Sequence, residues 1–196
     1  MPEHLQLKNN CLRRAAFLVL LFFCSSAFAQ SKKEVKKFNI KSCTVTITGL
    51  DSAGKEKSFT DSYNAFDRNG KVIEEKEFDH NGNFRKHESH KYNKNSYETE
   101  WIEFDDKGNV VRRTVTEYNS NNDKKAETVY DGKGILLEKT QFSYNPDGEK
   151  ISEVITDASG KTISRSVFVY DKNGLKVAKK TYNAAGQLIL MKRFAY

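Results

Sequence analysis

Past residue 30 the chain has no long apolar run. Short stretches rich in Val, Ile, Thr, Phe and Tyr alternate with clusters of Asp, Asn and Gly. Val110 to Tyr118 (VVRRTVTEY) and Lys161 to Tyr170 (KTISRSVFVY) are typical. These compositions suit a pleated, half-covered surface. The punctuation is regular. Gly82, Gly108, Gly134, Gly160 and Gly186 lie 26 residues apart, and Gly70, Ser96, Asn122, Gly148 and Gly174 form a second series of the same period. The two series interleave at alternate spacings of 12 and 14. Phe66, Tyr92, Tyr118, Tyr144, Tyr170 and Tyr196 keep the same clock. So do Phe78, Phe104, Tyr130 and Tyr182, with Thr156 standing in once. Asp or Asn follows every internal aromatic, as at Asp67, Asn93 and Asp131.

The half-repeat is therefore aromatic, Asp or Asn, two free positions, Gly or Asn, then a strand. Asp and Asn side chains bond the backbone two residues on, and Gly or Asn accepts positive φ. Ser96 is the one poor substitute. Such short turns predict an antiparallel meander. Ten strands are expected from Gly70 onward, preceded by Ile40 to Thr48 and roughly Glu56 to Phe66. No helix is expected after residue 30, because turn residues recur too often for one. Before Gly70 the register slips by two: Gly54 stands where the clock calls for position 56. A longer strand or looser turn must absorb the difference. The fold class is thus all-β: an antiparallel meander of about 10–12 short strands in a twisted or curled sheet. Along the longer strands Phe84 and Tyr92, Val110 and Tyr118, and Leu188 and Tyr196 share a parity. Apolar stripes should then line both rims, with a charged, solvated middle on both faces, as in Glu74 to Phe78 (EEKEF).

Three segments follow. Residues 1–29 read as a signal peptide: basic Lys8, Arg13 and Arg14, an apolar run from Ala15 to Phe23, and Ala27-Phe28-Ala29 ahead of a cut before Gln30. The run is too short to span a bilayer, so no membrane span is expected after cleavage. A lipoprotein through Cys24 is disfavoured by Phe23, where a small residue belongs. Residues 30–65 form N-terminal strands and an irregular cap, and residues 66–196 the repeat array. The protein is expected to be exported, whether periplasmic, at the outer surface or extracellular. Without the leader, 30 Lys and Arg face 25 Asp and Glu. The charges are interleaved, so no nucleic-acid surface is expected. Cys43 remains as a lone cysteine, which excludes an internal disulfide framework.

Tyr170-Asp171-Lys172-Asn173-Gly174, Tyr144-Asn145-Pro146-Asp147-Gly148, Tyr130-Asp131-Gly132-Lys133-Gly134 and Tyr182-Asn183-Ala184-Ala185-Gly186 resemble the YD repeats of the RHS family over roughly residues 63–196. The resemblance implies shell-type strands. Full RHS proteins add a processing core and a C-terminal effector, for which this chain has no room. The short halves are also similar to variant MORN repeats, without their Gly-x-Trp pattern. Neither family supplies a catalytic residue.

Candidate chemistry is sparse. His87 and His90, three apart on a strand, point to opposite faces and make a poor metal pair. The turns at Asp67 and Asp105 offer too few oxygens for calcium and carry Arg or Lys. No nucleophile, phosphate-loop or zinc-protease motif is present, and no cofactor is expected. The reading is a non-catalytic binding or scaffolding module of the cell envelope. Its alternative is an immunity-like protein that engages another chain by its sheet edge. Trp101, the one tryptophan, with Tyr97 of the same parity, marks a candidate binding surface. The partner class is a glycan or an envelope protein, and the sequence does not choose between them.

Overall fold

A computed structural model describes residues 31–50 and 54–196. The leader assigned to residues 1–29 lies outside the described residues. One short helix, α1 (Lys32–Lys37), precedes twelve strands. These are β1 (Ser42–Leu50), β2 (Glu56–Phe66), β3 (Val72–Phe78), β4 (Phe84–Tyr92), β5 (Glu98–Phe104) and β6 (Val110–Tyr118). There follow β7 (Lys124–Asp131), β8 (Leu136–Tyr144), β9 (Lys150–Asp157), β10 (Thr162–Tyr170), β11 (Lys176–Asn183) and β12 (Leu188–Arg193). All twelve form one antiparallel sheet in strict chain order, and the sheet does not close into a barrel. Strand packing is extensive only between sequence neighbours, so the sheet is a single layer.

The turns show why the period is so firm. In all ten from Asp67 to Asn183, the Asp or Asn Oδ1 accepts the backbone N–H four residues on, for example Lys71 N at 2.9 Å and Leu175 N at 2.9 Å. In all but the proline-containing turn it also accepts the N–H two residues on, as from Asn69 N at 2.8 Å. The fourth residue takes positive φ, including Ser96 at 67° and Asn122 at 66°. Beside each of these turns the register slips by one residue, placing a bulge early in the following strand: Val111, Leu137 and Ile163 are such extra residues. The two residues added ahead of Gly70 are absorbed by an eleven-residue β2 and a register shift opposite Val45 and Thr46.

The aromatic columns fall at opposite rims and, by strand alternation, on opposite faces. His90 shares a face with Tyr92, pairs with Trp101, and Trp101 pairs with Thr114 on the face of Tyr118. Phe104 alternates to the other side. The tyrosine column is also hydrogen-bonded. The hydroxyls of Tyr92, Tyr118, Tyr144, Tyr170 and Tyr196 donate to the carbonyls of Val72, Glu98, Lys124, Lys150 and Lys176, at 2.7–3.0 Å. Each bond reaches back 20 residues, from the end of one hairpin to its first strand.

Two expectations need correction. A helix does follow residue 30. Ser31 and Glu34 form a capping box, Glu34 N donating to Ser31 Oγ and Ser31 N to Glu34 Oε2. Helix α1 lays Val35, 2% exposed, into the rim beside Phe66 and Tyr92, which with Gly70 line the same recess. It covers the end of the column where Phe66 has no hydroxyl. The middle of the sheet is also less solvated than expected. Glu100 is only 7% exposed, and Thr116, Thr128 and Ser166 are buried. Two of these positions are paired across strands. Ser166 and Thr181 share a hydroxyl bond of 2.9 Å. Arg113 Nε donates to Glu100 Oε1 at 2.6 Å.

Candidate binding surface

Trp101 lies half-buried on the tyrosine face, directly between His90 of β4 and Thr114 of β6. Tyr97 does not join it. The bulge at the start of β5 leaves Tyr97 in the turn, 40% exposed, with its ring 5.2 Å from that of Tyr118 at 41°. Tyr97 thus meets the tyrosine column at the rim, while Trp101 lies further in along β5.

What surrounds Trp101 is carboxylate and imidazole. Register places Glu75, Glu88 and Glu103 in one row across β3, β4 and β5. Carboxylates directly opposite one another repel. Lys86 relieves this, its Nζ lying 2.8 Å from Glu75 Oε2 and 3.1 Å from Glu88 Oε2. Burial would lower the Lys86 ammonium, but these two bonds outweigh it and hold its pKa above the ordinary value. His90 is clamped between Glu98 Oε1 at 2.6 Å from Nδ1 and Glu88 Oε2 at 3.7 Å from Nε2. Glu75, Glu88 and His90 bring their ligand atoms within 4.8 Å of one another. Sequence reasoning missed this trio because it compared histidines along one strand. The trio spans two strands and becomes visible only through the β3–β4 register. Lys86 bridges its two carboxylates, so the arrangement is built as an ion-pair network.

On the opposite face His87 Nε2 lies 3.0 Å from Glu74 Oε1, and its ring stacks on Phe104 at 4.3 Å. The Lys76 bond, aided by His87, holds the Glu74 carboxyl below its usual range against the cost of burial. Burial would raise Glu100, but the bonds from Lys91 and Arg113 outweigh it and keep that carboxyl low as well. At the rim, burial pushes the Tyr92 hydroxyl up to about 12, with Glu98, Asp67 and Glu75 adding to it. A tyrosine so raised remains a donor at any physiological pH. The arrangement can hold a ligand by ring contact and hydrogen bonding: a tryptophan platform flanked by acceptors fixed in place by their own ion pairs.

No family model and no curated protein matches the chain. Among solved structures it is similar to a chain of the Photorhabdus luminescens Tc holotoxin pore, at 12% identity and a TM-score of 0.42, over 76% of this chain and 9% of that one. It is similar to a porin-like protein from Bacteroides uniformis at 13% identity and a TM-score of 0.36, over 79% of this chain and 51% of that one. A structure of TcdB2-TccC3 without its hypervariable C-terminal region is similar at 11% identity and a TM-score of 0.23, over 74% of this chain and 11% of that one. The chain spans about half the length of the porin-like protein and about a tenth of the toxin chains.

Proposed function

We propose that this chain is a non-catalytic, exported binding module of the cell envelope that presents its tyrosine face, around Trp101, to a glycan. The observation that carries this reading is the open single layer. Equivalent side chains recur every 26 residues on both faces of one sheet, which makes an extended, laddered surface of the kind repeat proteins use for binding. On that surface Trp101 stands among Glu88, His90 and Glu98, and sugar rings stack on such platforms while their hydroxyls donate to neighbouring carboxylates. The resemblance of the half-repeats to YD repeats supports an exported β-shell type of protein. It adds nothing about the ligand.

A second reading, an immunity-like protein that pairs its sheet edge with another chain, is favoured by β12. Leu188, Ile189 and Leu190 are 50%, 59% and 47% exposed there, and the run from Leu188 to Met191 has no charge to discourage strand addition. A glycan array probed with the exported chain and with Trp101→Ala separates the two. Binding lost in Trp101→Ala, with an unchanged melting curve, supports the first reading. Silence on the array, together with a protein partner lost on Leu190→Pro and retained by Trp101→Ala, supports the second and ends the first.

A further inference from the structure

The even mixing of charge expected from the sequence breaks down after residue 157. Residues 158–196 hold eight Lys and Arg against one acid, Asp171. These residues contain β10, β11 and β12, the last strands of the sheet. On the tyrosine face the basic groups converge. The ammonium groups of Lys150, Lys179 and Lys176 lie 4.9, 5.1 and 5.6 Å from the ring centre of Phe168, itself 7% exposed. Lys192 joins from β12, directly opposite Lys179 in the register. Like charges paired across strands destabilise a sheet. One carboxylate serves this group: Glu153 binds Lys150 and sits 2.9 Å from Lys179. Burial would raise Glu153, and the two lysine bonds outweigh it and keep it ionised. Four cations against one anion leave the cluster in excess of positive charge.

The cluster is also the end of a ladder. Lys124, Lys150 and Lys176 each open a strand, β7, β9 and β11, at 26-residue spacing. Their backbones are held in line, since each carbonyl accepts a tyrosine hydroxyl from the column. Equivalent positions in successive hairpins are two strands apart, roughly 9.6 Å. Lys124 is paired with Glu127 and Lys150 with Glu153, whereas β11 carries Lys179 in the corresponding place, so the uncompensated charge lies at the β11–β12 end. Cationic groups repeated along a sheet match a linear polymer with repeating anionic groups better than they match one compact ligand.

We propose that the tyrosine face of β9 to β12 is a binding site for an anionic polysaccharide, whose sulfate, phosphate or carboxylate groups are taken by Lys150, Lys176, Lys179 and Lys192. A local violation of pairing rules of this kind marks a functional surface, because the unliganded sheet carries repulsion that an anion relieves. This site is separate from Trp101, and its failure leaves the glycan reading of that surface standing.

The test is calorimetric titration of the exported chain with dextran sulfate and with polygalacturonate, neutral dextran serving as the blank. The variants are Lys176→Gln with Lys179→Gln and Lys192→Gln, and, on the opposite face of the same strands, Arg165→Gln with Lys180→Gln and Arg193→Gln. Both triples remove the same charge. The first should weaken binding about tenfold or more and flatten its salt dependence, since fewer counterions are released. The second should change it less than about twofold, the remaining effect being long-range and screened. Should loss of Lys179 unfold the sheet by stranding Glu153, the double variant Lys176→Gln with Lys192→Gln, set against Lys180→Gln with Arg193→Gln on the opposite face, carries the same comparison with the ion pair intact. Equal losses from both faces would mean that binding follows net charge alone, and would overturn the site. So would no binding to either polyanion at physiological salt, or binding of poly-glutamate in their place, which would point to an acidic protein partner.

Discussion

If the tyrosine column is hydrogen-bonded as well as packed, its two contributions can be separated at equivalent sites. Tyr118 and Tyr144 occupy the same place in neighbouring repeats, and their hydroxyls donate to Glu98 O at 2.7 Å and Lys124 O at 2.9 Å. Tyr→Phe removes only that bond, whose net worth is about 0.5–1.5 kcal/mol. Tyr→Ala removes the ring too. A fully buried ring costs about 3–5 kcal/mol. Both rings here are half-buried, so about 2–3 kcal/mol in all is expected. Arg112, on the same face but exposed, should cost within about 0.5 kcal/mol on replacement by Ala. Urea melts of the five variants, followed by circular dichroism, give the comparison. The column itself supplies a precedent: Phe66 fills the first place without a hydroxyl, and there α1 covers the rim instead. If both Tyr→Phe variants melt with the wild type, the hydroxyl bonds are decoration and only ring packing holds the rim. If Arg112→Ala costs as much as Tyr118→Ala, the rims are not where the sheet is held.

Ser96→Gly should stabilise by about 1 kcal/mol, because Ser96 is held at φ 67°, where a side chain clashes with its own backbone; a melt shifted downward would show that the Ser96 side chain is needed in its turn. Gly70→Ala and Gly82→Ala both force a side chain into positive φ, but only at Gly70 does the new Cβ meet another element, Lys32 O at 2.7 Å; hydrogen exchange at Val35 N–H should accelerate in the first variant alone, and equal acceleration would show that α1 does not dock there. Stability should fall as pH rises from about 10 to about 12: the unfolded tyrosines ionise near their ordinary value, whereas Tyr92 stays protonated in the fold up to about 12, so its contribution is full below pH 10 and lost through that window. Ultraviolet titration of tyrosine ionisation checks this, and a single transition at the ordinary value, unchanged by urea, would contradict it.

The strands and turns were legible because local chemistry fixes them. An Asp or Asn that binds two N–H groups ahead of a left-handed residue specifies a turn without help from the rest of the chain, and Asp67, Asn119 and Asp171 do this in identical fashion. The single layer was legible for the opposite reason, since no strand carried an apolar face to bury. Helix α1 was hidden by its length. Six residues with one apolar side chain, Val35, give no periodicity, and the readable signal was the capping box at Ser31 and Glu34. Its docking depends on Gly70, 35 positions beyond Val35, which no local pattern connects to it.

Face assignment across strands was the harder matter, and the bulges explain why. Past the bulge, parity is sound: His87 and His90 point apart as spacing requires. Across it parity fails, so Phe84, paired with Phe78, does not share the face of Tyr92 as their spacing led one to expect. Between strands, each turn is followed by one unpaired residue, so parity carried from β4 to β5 inverts at Thr99. That inversion sets His90 opposite Trp101. The equivalent bulges elsewhere set Glu75 opposite Glu88 and Lys192 opposite Lys179, and the one at Thr99 adds Glu103 to the acidic row. The acidic row beside Trp101 and the basic cluster over Phe168 lie on the same face at different distances along the same ladder. A ligand spanning both would have to present hydroxyls at one end and anionic groups at the other, which a single acidic polysaccharide does and a neutral one does not.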